Sequence, residues 1–303
     1  MNTLKSLYKK LWTSLIRPER QWYSSQSLGT PIQTFESSCA KRLDFCLKNA
    51  FNEDIFMSVY FACNLEGRPN PSNVYVIYCH THAASRIEGL GLLPLLIQKG
   101  IGLVVFDFRA NGVGSGRWVT LGYKESSDLS EVVRFVKSEL KASRVCVWGR
   151  SMGAASCLFF LSSSFREAFN RKFPRENRGR NVQAKAGQVP SKVEFAKFEQ
   201  EQARASFYQK KDIKKTREDF EWSPADWVDC FVSDASMLEL KQTIISLVKS
   251  KNKAIPEWLI KAATAVIDAE IKKKTFISVS DIAPVKTAHS IKTPGILVIG
   301  KIF

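Results

Sequence analysis

"RVCVWGRSMGAASCLFFL", residues 144–161, decides the fold. An apolar run ends at Trp148, Gly149-Arg150-Ser151-Met152-Gly153 follows, and an Ala-rich apolar run begins at once. This reads as a buried strand, a sharp turn and a buried helix, with Ser151 at the apex. The five residues fit G-x-S-x-G. Such a turn is strained, and side chains at the two glycines would collide with the neighbouring strand and helix. The N–H of Met152 would then point to where negative charge develops beside the serine oxygen. The helix N-terminus adds a favourable partial charge there. Ser151 is therefore a candidate nucleophile, and a serine nucleophile needs a base. The 303-residue chain has three histidines.

Outward from this stretch the pattern repeats. "RLDFCLKNAFNEDIFMSVYFA" (42–62) reads as two strands around a polar turn. "NVYVIYCH" (73–80) and "IGLVVFDF" (101–108) are short continuous apolar runs, the signature of buried parallel strands. Between them "LGLLPLLIQKG" (90–100) reads as a helix closed by glycine. "SSDLSEVVRFVKSEL" (126–140) has helical spacing, with Ser126, Ser127 and Asp128 as capping candidates. "WVDCFVSDAS" (227–236) and "PGILVIG" (294–300) supply two further strands. Strands alternating with helices predict an α/β fold, a mostly parallel sheet with helices on both faces. The beat breaks once, at about 165–226, too long for a simple connection. This segment is expected to be an insertion, first a polar loop and then a helix aligning Phe195, Phe198 and Phe207.

The net charge is +16. Residues 165–217 hold 15 Lys+Arg against 6 Asp+Glu, and residues 1–20 hold five against one. The basicity thus belongs to two appendages. Residues 3–17, "TLKSLYKKLWTSLIR", place Leu4, Leu7, Tyr8, Leu11, Trp12, Leu15 and Ile16 at helical spacing, with Pro18 as the stop. Two readings stay open: a helix packed on its own domain, or a basic amphipathic helix on an anionic membrane surface. The basic insertion reads as a solvated loop. It contains no recognised nucleic-acid module, so nucleic acid is not an expected partner.

Seven scattered cysteines, an odd count without CxxC, indicate neither a zinc ribbon nor a disulfide framework. A reducing, cytoplasmic setting is the default, with peripheral membrane attachment as the variant. No apolar run approaches a bilayer span and the N-terminus lacks a secretory signal. Cys79, His80 and His82 are three potential ligands in four residues. Strand alternation points the first two to opposite faces and no fourth ligand is evident, so no metal is expected. "NGVGSG" (111–116) lacks G-x-G-x-x-G spacing and reads as a turn, so no cofactor is expected either.

The stretches "YCHTHAASRIEGLGLLPLLIQKGIGLVVFDFRANGVGSGRWVTLGYKESSDL", "VWGRSMGAASCL", "VSDASM" and "DIAPVKTAHSIKTPGILVIGK" together resemble the α/β-hydrolase superfamily, in its serine aminopeptidase-like branch. "LIRPERQWYSSQSLG" resembles that group's lead-in. The resemblance covers most of 15–165 and 227–301 and implies the α/β-hydrolase fold. It implies a lead-in over 1–40 and a hydrolase domain over 41–303. It implies a serine hydrolase acting on an ester, thioester or amide, with a small-molecule or acylated or peptide substrate.

By the same resemblance Ser151 is the nucleophile and Met152 its oxyanion neighbour. His80-Thr81-His82 matches a His-Gly-x turn whose third residue donates a backbone N–H, which makes His82 the second donor. Thr81 replaces the glycine, and a β-branched residue resists positive φ. His82 is also a candidate substitute base.

The family's acid follows the strand matching "GILVIG", and its histidine follows the next strand. The sequence reaches neither, so the domain is expected to lack its last strand and helix. The chain is then expected to be weakly active, or a non-catalytic binding member that uses its basic insertion or N-terminal helix. Asp234, after the fourth parallel strand, is the best remaining acid. His289 precedes the final strand and should lie far from the active edge. "PGILVIG" should be an apolar edge strand.

Overall fold

The structure, a computed structural model, describes residues 9, 12–36, 38–64, 70, 72–174, 185–186, 224–236, 239–251 and 256–298. Among them nine strands form one sheet: β1 (Ile32–Phe35), β2 (Ser38–Lys48), β3 (Asp54–Ala62), β4 (Val74–Cys79), β5 (Gly102–Phe106), β6 (Arg144–Arg150), β7 (Lys185–Ala186), β8 (Cys230–Asp234) and β9 (Gly295–Val298). Their order is β1-β2-β3-β5-β4-β6-β8-β9, with β7 beside β2. Strands β5, β4, β6, β8 and β9 are parallel neighbours. β1, β2 and β3 form an antiparallel meander that β3 joins to β5.

The continuous apolar runs are buried on both faces, as their composition requires. In β4, Tyr75, Ile77 and Cys79 enter the main core, while Val76 and Tyr78 enter a smaller core on the other face. In β5, Val104 and Phe106 take the first side and Leu103 and Val105 the second. Helix α1 (Leu93–Gln98) covers the smaller core with Leu93, Leu96 and Ile97. Helix α2 (Glu125–Ser138) covers the other face with Leu129, Val132, Val133 and Val136. The α/β class, with helices on both faces, is the one the sequence predicts.

Ser126, Ser127 and Asp128 do not cap α2. The residue at the cap is Lys124, already in helical conformation, and its N–H is received by Thr120 Oγ1 at 2.8 Å. Asp128 is fully buried and instead accepts from Asn49 Nδ2 (2.8 Å) and the Arg109 N–H (2.9 Å). Its pairing across the fold outranks local capping. Burial pushes its carboxyl up to about 8, against the opposing pull of Arg109.

Helix α3 (Met152–Leu161) is buried along its whole length, which explains a sequence apolar on every side. Helix α4 (Ser163–Lys172) follows immediately, capped by Ser162 Oγ receiving the Phe165 N–H at 3.1 Å. Phe165 and Phe169 are buried and stack with Phe159 and Tyr123. Residues through Lys172 therefore belong to the packed domain. The expected helix with Phe195, Phe198 and Phe207 lies outside the described residues.

Helices α5 (Leu240–Lys251) and α6 (Glu257–Thr275) pack together before β9. At the N-terminus, Trp12 and Ile16 enter the main core, so this end of the apolar stripe packs on its own domain. Leu4, Leu7, Tyr8 and Leu11 lie outside the described residues. No helix among the described residues is long and apolar enough to cross a membrane. β9 pairs with β8, and its Ile296, Leu297 and Val298 are exposed.

Candidate active site

Ser151 sits between the end of β6 and the first turn of α3 with φ 51° and ψ −112°. For a non-glycine residue this conformation costs about 1–3 kcal/mol and persists only where the surroundings impose it. The surroundings do. The Ser151 N–H donates to the Asp234 carbonyl at 2.8 Å, and the Ala155 N–H donates to the Ser151 carbonyl at 3.0 Å. A Cβ on Gly149 would stand 2.4 Å from the Gly153 carbonyl carbon. A Cβ on Gly153 would stand 1.9 Å from the Cys79 carbonyl oxygen. Gly149 is needed because the end of β6 lies hard against the first turn of α3, and Gly153 because that turn lies hard against the end of β4. Met152 is the first helical residue, so its N–H has no intrahelical acceptor and can serve a ligand.

Asp234 ends β8 opposite Arg150 in the parallel register. Its carboxylate faces the Arg150 guanidinium, Oδ2 to Nε 3.6 Å, rather than an imidazole. Arg150 Nη1 also lies 3.9 Å from Glu88 Oε1. More than half of the Arg150 side chain is exposed, so these contacts stabilise little and leave the guanidinium beside Ser151 free to reorient.

The turn after β4 is anchored at every residue from 80 to 83. His80 is fully buried; its Nδ1–H donates to the Thr81 carbonyl (2.7 Å) and its Nε2 accepts the Phe108 N–H (3.1 Å). That pattern needs the neutral ring, and burial lowers the His80 pKa accordingly. Thr81 gives both its N–H (3.0 Å) and its hydroxyl (2.8 Å) to Glu88 Oε2. The His82 ring donates through Nε2 to the Leu15 carbonyl at 2.9 Å. The Ala83 N–H donates to Asn111 Oδ1 at 3.2 Å. The positive φ in this turn falls on Ala83, 64°, and not on Thr81. Thr81 thus meets no backbone strain, and its hydroxyl has a partner in Glu88.

Among the described residues no histidine ring hydrogen-bonds Ser151. Both nitrogens of His80 are committed as described, and His82 is held through Nε2. His289 lies in a turn next to Ser290, whose hydroxyl bonds Ser162 at 2.8 Å. Ser162 closes the end of α3 away from Ser151, one helix length or roughly 15 Å off. Cys79, His80 and His82 also point apart: the Cys79 thiol meets Cys157, and the two rings meet Thr81 and Leu15.

Nothing in the sequence pattern marks Tyr23, Arg86, Glu88 or Asp107 for a role. The Asp107 carboxylate, fully buried after β5, receives the Arg86 N–H at 2.8 Å and the Tyr23 hydroxyl, with Arg86 Nε 3.6 Å away. Arg86 Nε also donates to Tyr23 Oη at 2.6 Å. Burial and the Asp107 charge push the Tyr23 hydroxyl far up, so it remains a donor. The one available signal was a charged pair, Arg86 and Glu88, interrupting a stretch that turns apolar.

No family model matches the chain. The uncharacterized protein YqkD of Bacillus subtilis (strain 168) is 26% identical over 96 residues, which is 31% of this chain and 32% of YqkD. The chain thus matches about a third of the length of that curated relative. Among solved structures, the esterase Pf2001 of Pyrococcus furiosus is 21% identical, with 85% of this chain and 69% of that one covered and a TM-score of 0.46. The acetyl xylan esterase from Paenibacillus sp. R4 is 15% identical, with 90% and 75% covered and a TM-score of 0.49.

Proposed function

We propose that this chain is a serine hydrolase-like protein of the α/β-hydrolase type, of the serine aminopeptidase-like branch, acting on an ester, thioester or amide. The observation that carries the reading is the backbone of Ser151. A non-glycine residue is held at φ 51° by two flanking glycines that admit no side chain. Strain of this kind gathers where a side chain must be presented. In this reading Ser151 attacks the substrate carbonyl carbon. Its oxygen forms the new bond, its proton passing to water, as the carbonyl π electrons move onto oxygen. The Met152 and His82 N–H groups receive that oxyanion. The adduct then collapses, the bond to the alcohol, thiol or amine breaks, and that group leaves with a proton. Asp234 is the candidate acid.

A serine without a base is a poor nucleophile. With Asp234 facing Arg150 and no histidine ring bonded to Ser151, turnover by this chain is proposed to be slow, at the level the oxyanion donors and binding provide. The second reading is a non-catalytic member that binds through the same edge or its basic segments, and the engaged histidines favour it.

A fluorophosphonate probe tests both. Slow labelling of the wild type that disappears in Ser151→Ala supports the first reading. Absence of labelling from a folded wild type supports the second. Rapid labelling would overturn the proposed weakness.

A further inference from the structure

All seven cysteines are free thiols. Two of them face each other across a strand pair. The β2–β3 register runs to Ala40↔Ala62, and the next opposed residues are Cys39 and Cys63. The Cys63 N–H donates to the Cys39 carbonyl at 2.9 Å. Opposed residues in such a hydrogen-bonded antiparallel pair have Cα atoms about 5.5 Å apart. That lies inside the span of about 4.4–6.8 Å which a disulfide tolerates. The two sulfurs approach to 2.7 Å, a thiol–thiol contact with no other residue between them. Cys39 is buried and Cys63 half-buried, so a small reagent can reach the second sulfur first.

We propose that Cys39 and Cys63 are a redox-active pair that closes to a disulfide across the β2–β3 ladder when a low-molecular-weight disulfide such as oxidised glutathione is present. The step balances. The Cys63 sulfur, on losing its proton, attacks one sulfur of the reagent; the reagent S–S bond breaks and one reduced thiol leaves with a proton. The Cys39 sulfur then attacks the mixed disulfide at Cys63 and expels the second reduced thiol. Two electrons pass from the protein to the reagent, and two protein thiols become one S–S bond.

The pair differs from the other close cysteines. Cys79 and Cys157 touch but are both fully buried, out of reach of a reagent. Cys146 and Cys230 are opposed in the parallel β6–β8 register, where Cys230 is exposed. They serve as the internal comparison. Burial and the hydrogen bond to Cys39 push the Cys63 thiol up to about 11, so its thiolate is scarce at neutral pH and the exchange runs slowly there and faster as the pH rises. β3 runs against β5, with Tyr60 opposite Leu103 and Met57 opposite Phe106. Cys63 therefore lies at the sheet edge away from Ser151, and closure constrains the fold without touching the elbow.

The test equilibrates the full chain in glutathione buffers of rising oxidised fraction, traps remaining thiols by alkylation, and maps peptides by mass spectrometry. The expected result is a Cys39–Cys63 linked peptide pair that grows with the oxidised fraction. In Cys63→Ala the link is absent. The oxidised wild type should melt about 5 °C or more above the reduced form, a shift that Cys63→Ala does not show. If Cys39 and Cys63 stay alkylatable in the most oxidising buffer, or each carries its own glutathione, or Cys146–Cys230 is the sole link formed, the proposal is wrong. The wild-type map decides this even if the variant fails to fold.

Discussion

Glu88 holds Thr81 by two bonds to one oxygen, from the N–H at 3.0 Å and from the hydroxyl at 2.8 Å, while its other oxygen receives the Tyr78 hydroxyl at 2.9 Å. One carboxylate thereby fastens the turn after β4 to the strand itself and stands within 3.9 Å of Arg150, the neighbour of Ser151. Removing it frees the turn that carries His82. Hydrogen bonds to a charged acceptor contribute about 1.5–3 kcal/mol each. Amide exchange at Thr81 is therefore expected to accelerate about tenfold or more in Glu88→Ala. Glu88→Gln should recover part of that protection. Unchanged exchange in Glu88→Ala would refute the clamp.

Relief of the elbow strain should be measurable without any substrate. Ser151→Gly removes the penalty of φ 51° at a small cost in unfolded-chain entropy, a net stabilisation of about 1 kcal/mol. Ser151→Ala keeps the strain and should be near neutral. Thermal melting is expected to place Ser151→Gly about 2–4 °C above Ser151→Ala. Equal melting temperatures would mean that the elbow stores no strain.

Gly153→Ala should be severe. Its added carbon meets backbone, the Cys79 carbonyl at 1.9 Å, so neither a rotamer change nor a side-chain shift can relieve the clash. Overpacking of this kind costs about 3 kcal/mol or more. Gly91→Ala, where nothing lies within 4 Å, is the matched control and should leave the melting temperature nearly unchanged.

Acid should weaken the fold through the two inner histidines. Burial lowers the folded-state pKa of His80 and of His82 below the ordinary value of 6.5. At pH values just under 6.5 the unfolded chain then binds protons that the folded chain refuses. Their contribution is fully present above pH 6.5 and is lost as the pH falls toward the depressed folded values. Melting temperature followed from pH 7.5 to pH 5 should decline more steeply in the wild type than in His80→Gln. Parallel curves would show that His80 is not responsible.

The sequence made the elbow legible because its demands are local. A buried strand, two glycines and a helix within eighteen residues leave one geometry for Ser151. The strands were legible for the same reason, since a continuous apolar run has to be covered on both faces. What stayed hidden joins residues far apart. Glu88 became a clamp only because the turn folds back on it, and Asp107 a hub only because Tyr23, Arg86 and the turn after β5 converge on it. Ser126 and Asp128 misled for the converse reason: they carry a capping pattern, but Asp128 is taken by Asn49 and Arg109. The cysteine count suggested no bridge, since spacing along the chain does not reveal register between strands.

The contact between Tyr23 and Asp107 spans 84 residues, which gives it a history as well as a place. During synthesis at about 5–20 residues per second, Tyr23 leaves the ribosome roughly 4–17 s before its acceptor does. For that interval the lead-in, with Trp12 and Ile16 whose core is also unfinished, has apolar surface and nowhere to put it. The segment made first thus waits on chain made after it. A chain stalled between Tyr23 and Asp107 is the state in which this protein would most need a chaperone.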